Sequence, residues 1–321
     1  MSMTLAEIRL KQNPILTSML LGMGTGARIA EKLFPRLPQV LSNANIAKLG
    51  KEHMRQHNLR RSPGGETKMI NIKYENVVYT VDQYAVDVPL PREWFREADE
   101  ARRLNVGMHL ELSAIGMNTA KYVLDLGYEI EVAAMAIDPA NYAVGNSLAL
   151  AAGTKWSAAT GTPVTDIRTA AEIIRKKAGV RPNTLTLSPD AFLAASMNPE
   201  VKGYLPNTTT GPATIEQLKT IFNVKNIEIG DAIWVDENDV GQDVWGNAAI
   251  LAYVPTIKSG AVTDFSLAEP AFGFTNVIEG HPFAETPYYK DSRKSWIYGA
   301  TFERRPNTAT PEAGFLFLNP K

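Results

Sequence analysis

The chain contains no cysteine. That absence removes disulfides, thiolate nucleophiles, zinc ribbons and iron–sulfur clusters together. Histidine is scarce: His53, His57, His109 and His281 are the only four. His53 and His57 have i,i+4 spacing, but no HExxH glutamate stands between them. Long apolar runs are also missing, and none approaches the ~18 residues that span a bilayer. Pro14–Met23 imitates the apolar part of a signal peptide, yet Glu7 and interrupting glycines break the pattern and no small-x-small cleavage site follows. A cytosolic product with no membrane partner is expected. Charge of one sign is lacking too: 33 Lys and Arg face 34 Asp and Glu, a net of −1. No global basic field is available to hold nucleic acid by counterion release, and no helix-turn-helix, zinc finger or aromatic RNA-binding strand is present.

What remains is a globular composition, 45% hydrophobic and 21% charged over 321 residues, room for about two domains. Residues 1–65 read apart from the rest, with scattered apolar residues and recurring prolines and glycines. Between Lys48 and Lys73 there are seven Lys or Arg against two Glu. Such a segment buries little surface on itself. It is either a solvated tail or an arm ordered by lying on another subunit, and the second reading is preferred.

Residues 66–91 turn to a β pattern: Ile70, Ile72 and Tyr74, then Val77, Tyr79 and Val81, then Tyr84, Val86 and Val88 alternate. A reversal at Glu75-Asn76 predicts a long two-stranded hairpin, marginal by itself and so leaning on a neighbour. A spine helix is expected from Arg92 to about Leu126, with Trp94, Ala98, Ala101, Leu104, Met108, Leu112, Ile115, Thr119, Val123 and Leu126 on one stripe. Gly107 and Gly116 can bend it; Gly127 either caps it or lets it resume to Ile137. Beyond it, helices are expected at Thr165–Ala178, Pro189–Met197 and from the capping box at Thr214 to Phe222. Strands are expected at 184–187, 227–229, 232–235, 248–254, 272–277, 296–303 and 314–318. The fold class is α+β.

Each chemical motif fails on its own terms. Gly22-Met-Gly24-Thr-Gly26 has G-x-G-x-G spacing, with no strand before it and no Lys-Ser/Thr after it, and reads as a joint. Asp236-Glu-Asn238-Asp-Val240-Gly241 starts like a calcium loop, but Val240 and Asn247 occupy ligand positions, so a surface turn fits. Gly145-Asn-Ser147-Leu-Ala149 is a nucleophile elbow without its second glycine. A triad would have to recruit His281, with Glu279 or Glu285 to orient it; a serine hydrolase using Ser147 and His281 stays as the rival from another class. Arg168, Arg175, Lys176, Lys177 and Arg181 charge one helix and its exit, as a solvated face or as a subunit contact. No catalytic, cofactor-binding or metal-binding set is assigned.

Six segments in order resemble the tailed-phage major capsid proteins. They are Ala30-Glu-Lys-Leu-Phe-Pro35; Ile137-Asp-Pro-Ala-Asn-Tyr-Ala-Val-Gly-Asn146; Trp156-Ser with Pro163 and Asp166-Ile167; Arg181-Pro-Asn-Thr-Leu185; Val244-Trp-Gly-Asn247 with Ala252-Tyr-Val-Pro255; and Pro311-Glu-Ala-Gly-Phe315. The similarity runs from about Arg28 to the C-terminus and lies in order and spacing, not in any one motif. It implies the Hong Kong ninety-seven-type capsid fold: an N-terminal arm at 1–65, an extended hairpin loop at 66–91, a peripheral domain with the spine helix at 92–182, a mostly axial domain at 183–300 and C-terminal strands at 301–321, the domains interleaved.

The function implied is a major head protein that self-assembles into hexamers and pentamers of an icosahedral shell around double-stranded DNA, without catalysis. Its place would be the virion, with assembly in the host cytoplasm. The implied partners are other copies of the chain, a separate scaffolding protein, a portal, a decoration protein and packaged DNA bound without sequence recognition. An encapsulin-like nanocompartment shell is the close alternative. No isopeptide cross-linking residues match. Phe34, Pro35, Val77, Tyr79, Val86 and Trp94 are the candidate subunit contacts. Deleting residues 1–27, or placing Asp at Val77 and Val86, is expected to block particle formation and leave a folded subunit.

Overall fold

The computed structural model describes residues 16–17, 20, 28–49, 55–56, 60–61, 67, 69, 74–104, 111–206, 211–255 and 270–321, with the backbone alone at 43–49 and 74–79. Two sheets flank a long helix. The first is built on β14 (Ser295–Thr308), which pairs antiparallel with β4 (Asp82–Pro91), β11 (Gly273–Ile278), β12 (Phe283–Ala284) and β13 (Tyr288–Lys290). β1 (Arg36–Gln39), from the arm, runs parallel to β11. Along β4, Tyr84, Val86 and Val88 turn inward while Gln83, Ala85, Asp87 and Pro89 are exposed, the two-residue period of a strand with one wet face.

The second sheet has the order β5 (Ser147–Ala149), β15 (Gly314–Leu318), β10 (Ala248–Ala252), β6 (Thr184–Leu187) and β7 (Asn226–Ile229). All of β10 and β6 and nearly all of β15 is buried; β10 and β15 read as near-continuous apolar runs, while β6 buries Thr184 and Thr186 alongside its leucines. Helices cover this sheet: α4 (Pro163–Ala178), α5 (Pro189–Met197), α6 (Pro199–Gly203) and α7 (Ile215–Phe222). Their ends follow from local chemistry. Pro163 opens α4, and Gly179 closes it at φ 77 with its N–H on the Arg175 carbonyl. Thr214 and Gln217 form the expected capping box of α7.

Between the sheets runs α3 (Leu112–Ile137), packed on β4 and β14 and touching β10 and β15. One core spans both sheets, and a smaller cluster gathers Leu90, Leu112, Met117 and Tyr298.

Three expectations are corrected. The strand β3 (Tyr74–Thr80) runs straight through Glu75 and Asn76 and pairs with β2 (Asn43–Leu49), from Asn43 opposite Thr80 to Leu49 opposite Tyr74. The chain then passes Val81 into β4, which belongs to β14. The two strands of this ladder therefore come from the nominal arm and the nominal loop together. A strand's alternation does not name its partner.

The spine is divided, not continuous from Arg92: α2 (Arg92–Arg103) is separate from α3, and α3 passes through Gly116 and Gly127 unbroken to Ile137. Its facing also departs from the expected stripe, although Leu112 of that stripe is buried. Ile115, Thr119 and Val123, placed on the inner stripe, are exposed; Gly116, Met117, Ala120, Leu124, Tyr128 and Val132 are buried. The buried face carries Lys121, Asp125 and Glu129 four residues apart. Apolar periodicity discards such a face, and only tertiary partners make it the inner one.

Finally, α4 packs on the second sheet with α6 and α7, not with the spine and the peripheral strands as its grouping in 92–182 implied. Pro163 and Ile167 belong to the same apolar face of that helix.

Candidate assembly surfaces

The arm is fastened to the spine by a buried carboxylate. Glu129 is 1% exposed and accepts three hydrogen bonds: from the Ile29 N–H at 3.0 Å, the Ala30 N–H at 2.9 Å and the Trp245 indole N–H at 2.7 Å. The first two open α1 (Ala30–Leu33), so one side chain ties arm, spine and the segment before β10. A buried carboxylate is tolerated only with such a full set of donors.

One turn earlier, Asp125 lies 3.6 Å from the Arg28 guanidinium, at the edge of a cavity of about 300 Å³ that Lys32 and Arg36 also line. Burial raises the Asp125 carboxyl above its usual range, and the neighbouring Lys121, Arg28 and Arg36 pull it back. Arg304, 1% exposed, holds Glu131 at 3.3 Å and the Leu124 carbonyl at 3.3 Å, with its guanidinium 4.2 Å above the Tyr84 ring. Burial lowers the Arg304 guanidinium and Glu131 opposes that shift.

Several of the recognised segments meet, directly as Asn146 does through its amide on the Gly314 carbonyl at 2.7 Å, or through shared neighbours. Phe34 is wholly buried and packs edge-on against Phe272 at 5.6 Å; Tyr142 stacks on the same ring at 5.0 Å. Glycine is required on both sides of this stack, because a Cβ at Gly273 would sit 2.3 Å from Phe34 and one at Gly314 2.3 Å from Phe272. Trp156 donates to Asp166 at 3.0 Å, and Asn198 donates to the Trp156 carbonyl at 2.7 Å. Asn183 exchanges both its amide groups with the Val254 backbone, at 2.6 and 2.9 Å.

Among the candidate contacts, Phe34 is corrected: its ring fills the subunit's own core and is not available to a neighbour. Pro35 is half-buried and its carbonyl accepts from the Thr275 N–H. Val86 is half-buried against the main core. Val77 and Tyr79 lie on β3, in a ladder that joins neither large sheet, and their side chains fall outside the described residues. Trp94 is 52% exposed on α2, a helix with no fully buried residue, while its neighbour Phe95 stacks on Tyr298.

Sequence reasoning missed two further exposed apolar surfaces. One is the outer face of α3, with Ile115, Tyr122, Val123 and Ile130. The other is the hairpin of β8 (Ile233–Val235) and β9 (Gly241–Asp243), with Ile233, Trp234, Val235 and Val240. Exposed tryptophan on a two-stranded ladder was the available signal.

The rejected motifs fall into place. Asp236 accepts from the Asn238 and Val240 N–H groups, which lowers its carboxyl below the usual range and makes the expected turn of that loop. No group of three or more metal-ligating side chains gathers among the described residues. Ser147 lies at the edge of the second sheet and His281 beside the first, so the structure does not join them. His281 instead accepts the Glu303 N–H on Nδ1 at 3.1 Å, and burial lowers it to about 4. Gly22, Gly24, Gly26, His53, His57 and His109 lie outside the described residues. No described helix is long and apolar enough to cross a membrane.

A two-stranded ladder, a sheet, a spine helix and a second helix-covered sheet together make up a fold that phage capsids share. The fold is similar to that of the capsid of cyanophage P-SCSP1u, with a TM-score of 0.57 at 14% identity over 91% of this chain and 88% of that one. A phage-related protein from Bordetella bronchiseptica RB50 is nearer, at a TM-score of 0.76 and 33% identity over 96% of this chain and 97% of that one. No family model matches the sequence. The major capsid protein of Burkholderia phage BcepMu is 30% identical over 305 residues, 95% of each chain. The chain belongs to the phage major capsid protein family, and its role is that of a capsid subunit of the virion.

Proposed function

We propose that the chain builds hexamers and pentamers that close into an icosahedral shell around double-stranded DNA, and that it carries no catalytic step. The observation that supports this reading most is the β2–β3 ladder, which pairs with neither large sheet among the described residues. A two-stranded ladder is marginal alone and gains stability when a neighbouring subunit covers it. Trp94 on the exposed helix α2 adds a second contact of the same kind. Repeated contacts of this sort give a closed shell without one tight site.

The shell forms in the host cytoplasm with a separate scaffolding protein, a portal and a decoration protein. DNA is enclosed without sequence readout, consistent with a net charge of −1.

The test pairs folding with assembly. Trp94→Asp should leave subunit stability within about 0.5 kcal/mol, as exposed substitutions do, and both Trp94→Asp and Tyr79→Asp should lose shells in electron micrographs. Normal shells from both variants would remove these residues from the interface. Nuclease-protected DNA in the wild-type particle is expected; a particle holding a protein cargo instead would make it a nanocompartment.

A further inference from the structure

The β8–β9 hairpin stands apart from both large sheets, and its apolar side chains face solvent: Ile233 at 53%, Trp234 at 40% and Val235 at 57% exposure. Residues 231–243 also hold five acids, Asp231, Asp236, Glu237, Asp239 and Asp243, and no Lys, Arg or His. None of the five forms an ion pair with the described residues. The hairpin follows β7, the strand at one edge of the second sheet.

The opposite edge of that sheet is β5, and it has the complementary character. Leu148 on β5 is 40% exposed and Val144 just before it 98% exposed. The basic end of α4 reaches this edge, since Lys177 donates to the Val144 carbonyl at 2.7 Å. Arg175, Lys176 and Arg181 are exposed beside it, with Glu172 answering only Arg175 and Arg181. One edge is thus apolar and acidic, the other apolar and basic.

We propose that the acidic β8–β9 hairpin of one subunit docks on the β5 edge and the basic end of α4 of a second copy of this chain. The proposal rests on the capsid reading and names the surfaces that close its capsomers. Two different, complementary faces on opposite edges of one sheet give a head-to-tail contact, which generates rings when its rotation closes. An apolar centre with oppositely charged rims fits such an interface and fixes its register.

The experiment uses charge reversal in the full chain. One variant carries Glu237→Lys and Asp243→Lys, a second Lys176→Glu and Arg181→Glu, and a third all four changes. Sedimentation velocity measures the fraction in capsomers and shells, and circular dichroism measures folding. Each single-face variant should fold normally and lose assembled material about ten-fold or more, since like charges then meet across the contact. The four-change variant should recover to within about two-fold of wild type, because the signs are again complementary. Assembly undisturbed in the single-face variants, or not recovered in the third, overturns this interface and leaves the capsid reading standing. A wild-type chain that never assembles, even when produced with its scaffolding protein, overturns both.

Discussion

Glu129 shows how much of this subunit depends on one side chain. It joins arm, spine and the segment before β10 through three donors, and all of them are buried. Glu129→Gln keeps the volume but replaces an accepting oxygen with an amide that faces donors. The expected cost is about 2–4 kcal/mol in denaturant unfolding, the range for stripping a buried charge of its partners. His281 gives a pH dependence. Its folded value is about 4 against an ordinary 6.5, so the unfolded chain binds the extra proton between these values. Stability from this group is complete above about pH 6.5 and is lost as pH falls towards 4, by up to about 3 kcal/mol. Protonation also places a donor on Nδ1 where the Glu303 N–H needs an acceptor. Wild type and His281→Gln compared by thermal unfolding across that window should differ in slope in this sense. None of this was legible in the sequence. Lys121, Asp125 and Glu129 form a charged row that an apolar-stripe reading assigns to solvent.

At the scale of elements, legibility followed locality. The helices α4 and α7 and the strands β10 and β15 carry their own signals: Pro163 and Gly179, the Thr214–Gln217 box and unbroken apolar runs. The β2–β3 pairing, the facing of α3 and the placement of α4 depend on distant residues and could not be read. Close approaches of backbone to aromatic rings are similarly invisible until the rings are placed. Gly273→Ala would push a methyl into Phe34, and Gly230→Ala one to 2.3 Å from Trp245. Each should cost about 1–3 kcal/mol as an overpacked core does, with Gly273→Ala also loosening the arm, as limited proteolysis would detect. Val86→Asp differs from the surface substitutions. The side chain leans on the main core, so the soluble folded subunit expected from the sequence should instead be destabilised, by about 2 kcal/mol or more.

For the whole molecule, the order of six short segments carried the family, and the structure explains why that order is informative. Several segments are partners of one another, Asn146 with the Gly314 carbonyl and Asn183 with Val254, while Phe34 and Tyr142 meet across the ring of Phe272. Assembly surfaces were less legible, because an exposed hairpin such as β8–β9 has the same alternation as one that is covered. A subunit that leaves Trp94, Trp234 and the outer face of α3 in water has unfinished surface, and closing it is the expected work of neighbouring copies. The most direct measurement is the mass and shape of the particles formed by the full chain produced together with its scaffolding protein, by sedimentation and negative-stain microscopy. Closed shells built from rings of five and six subunits are predicted. A chain that remains a monomer or dimer under those conditions, at low and high salt alike, would contradict the account.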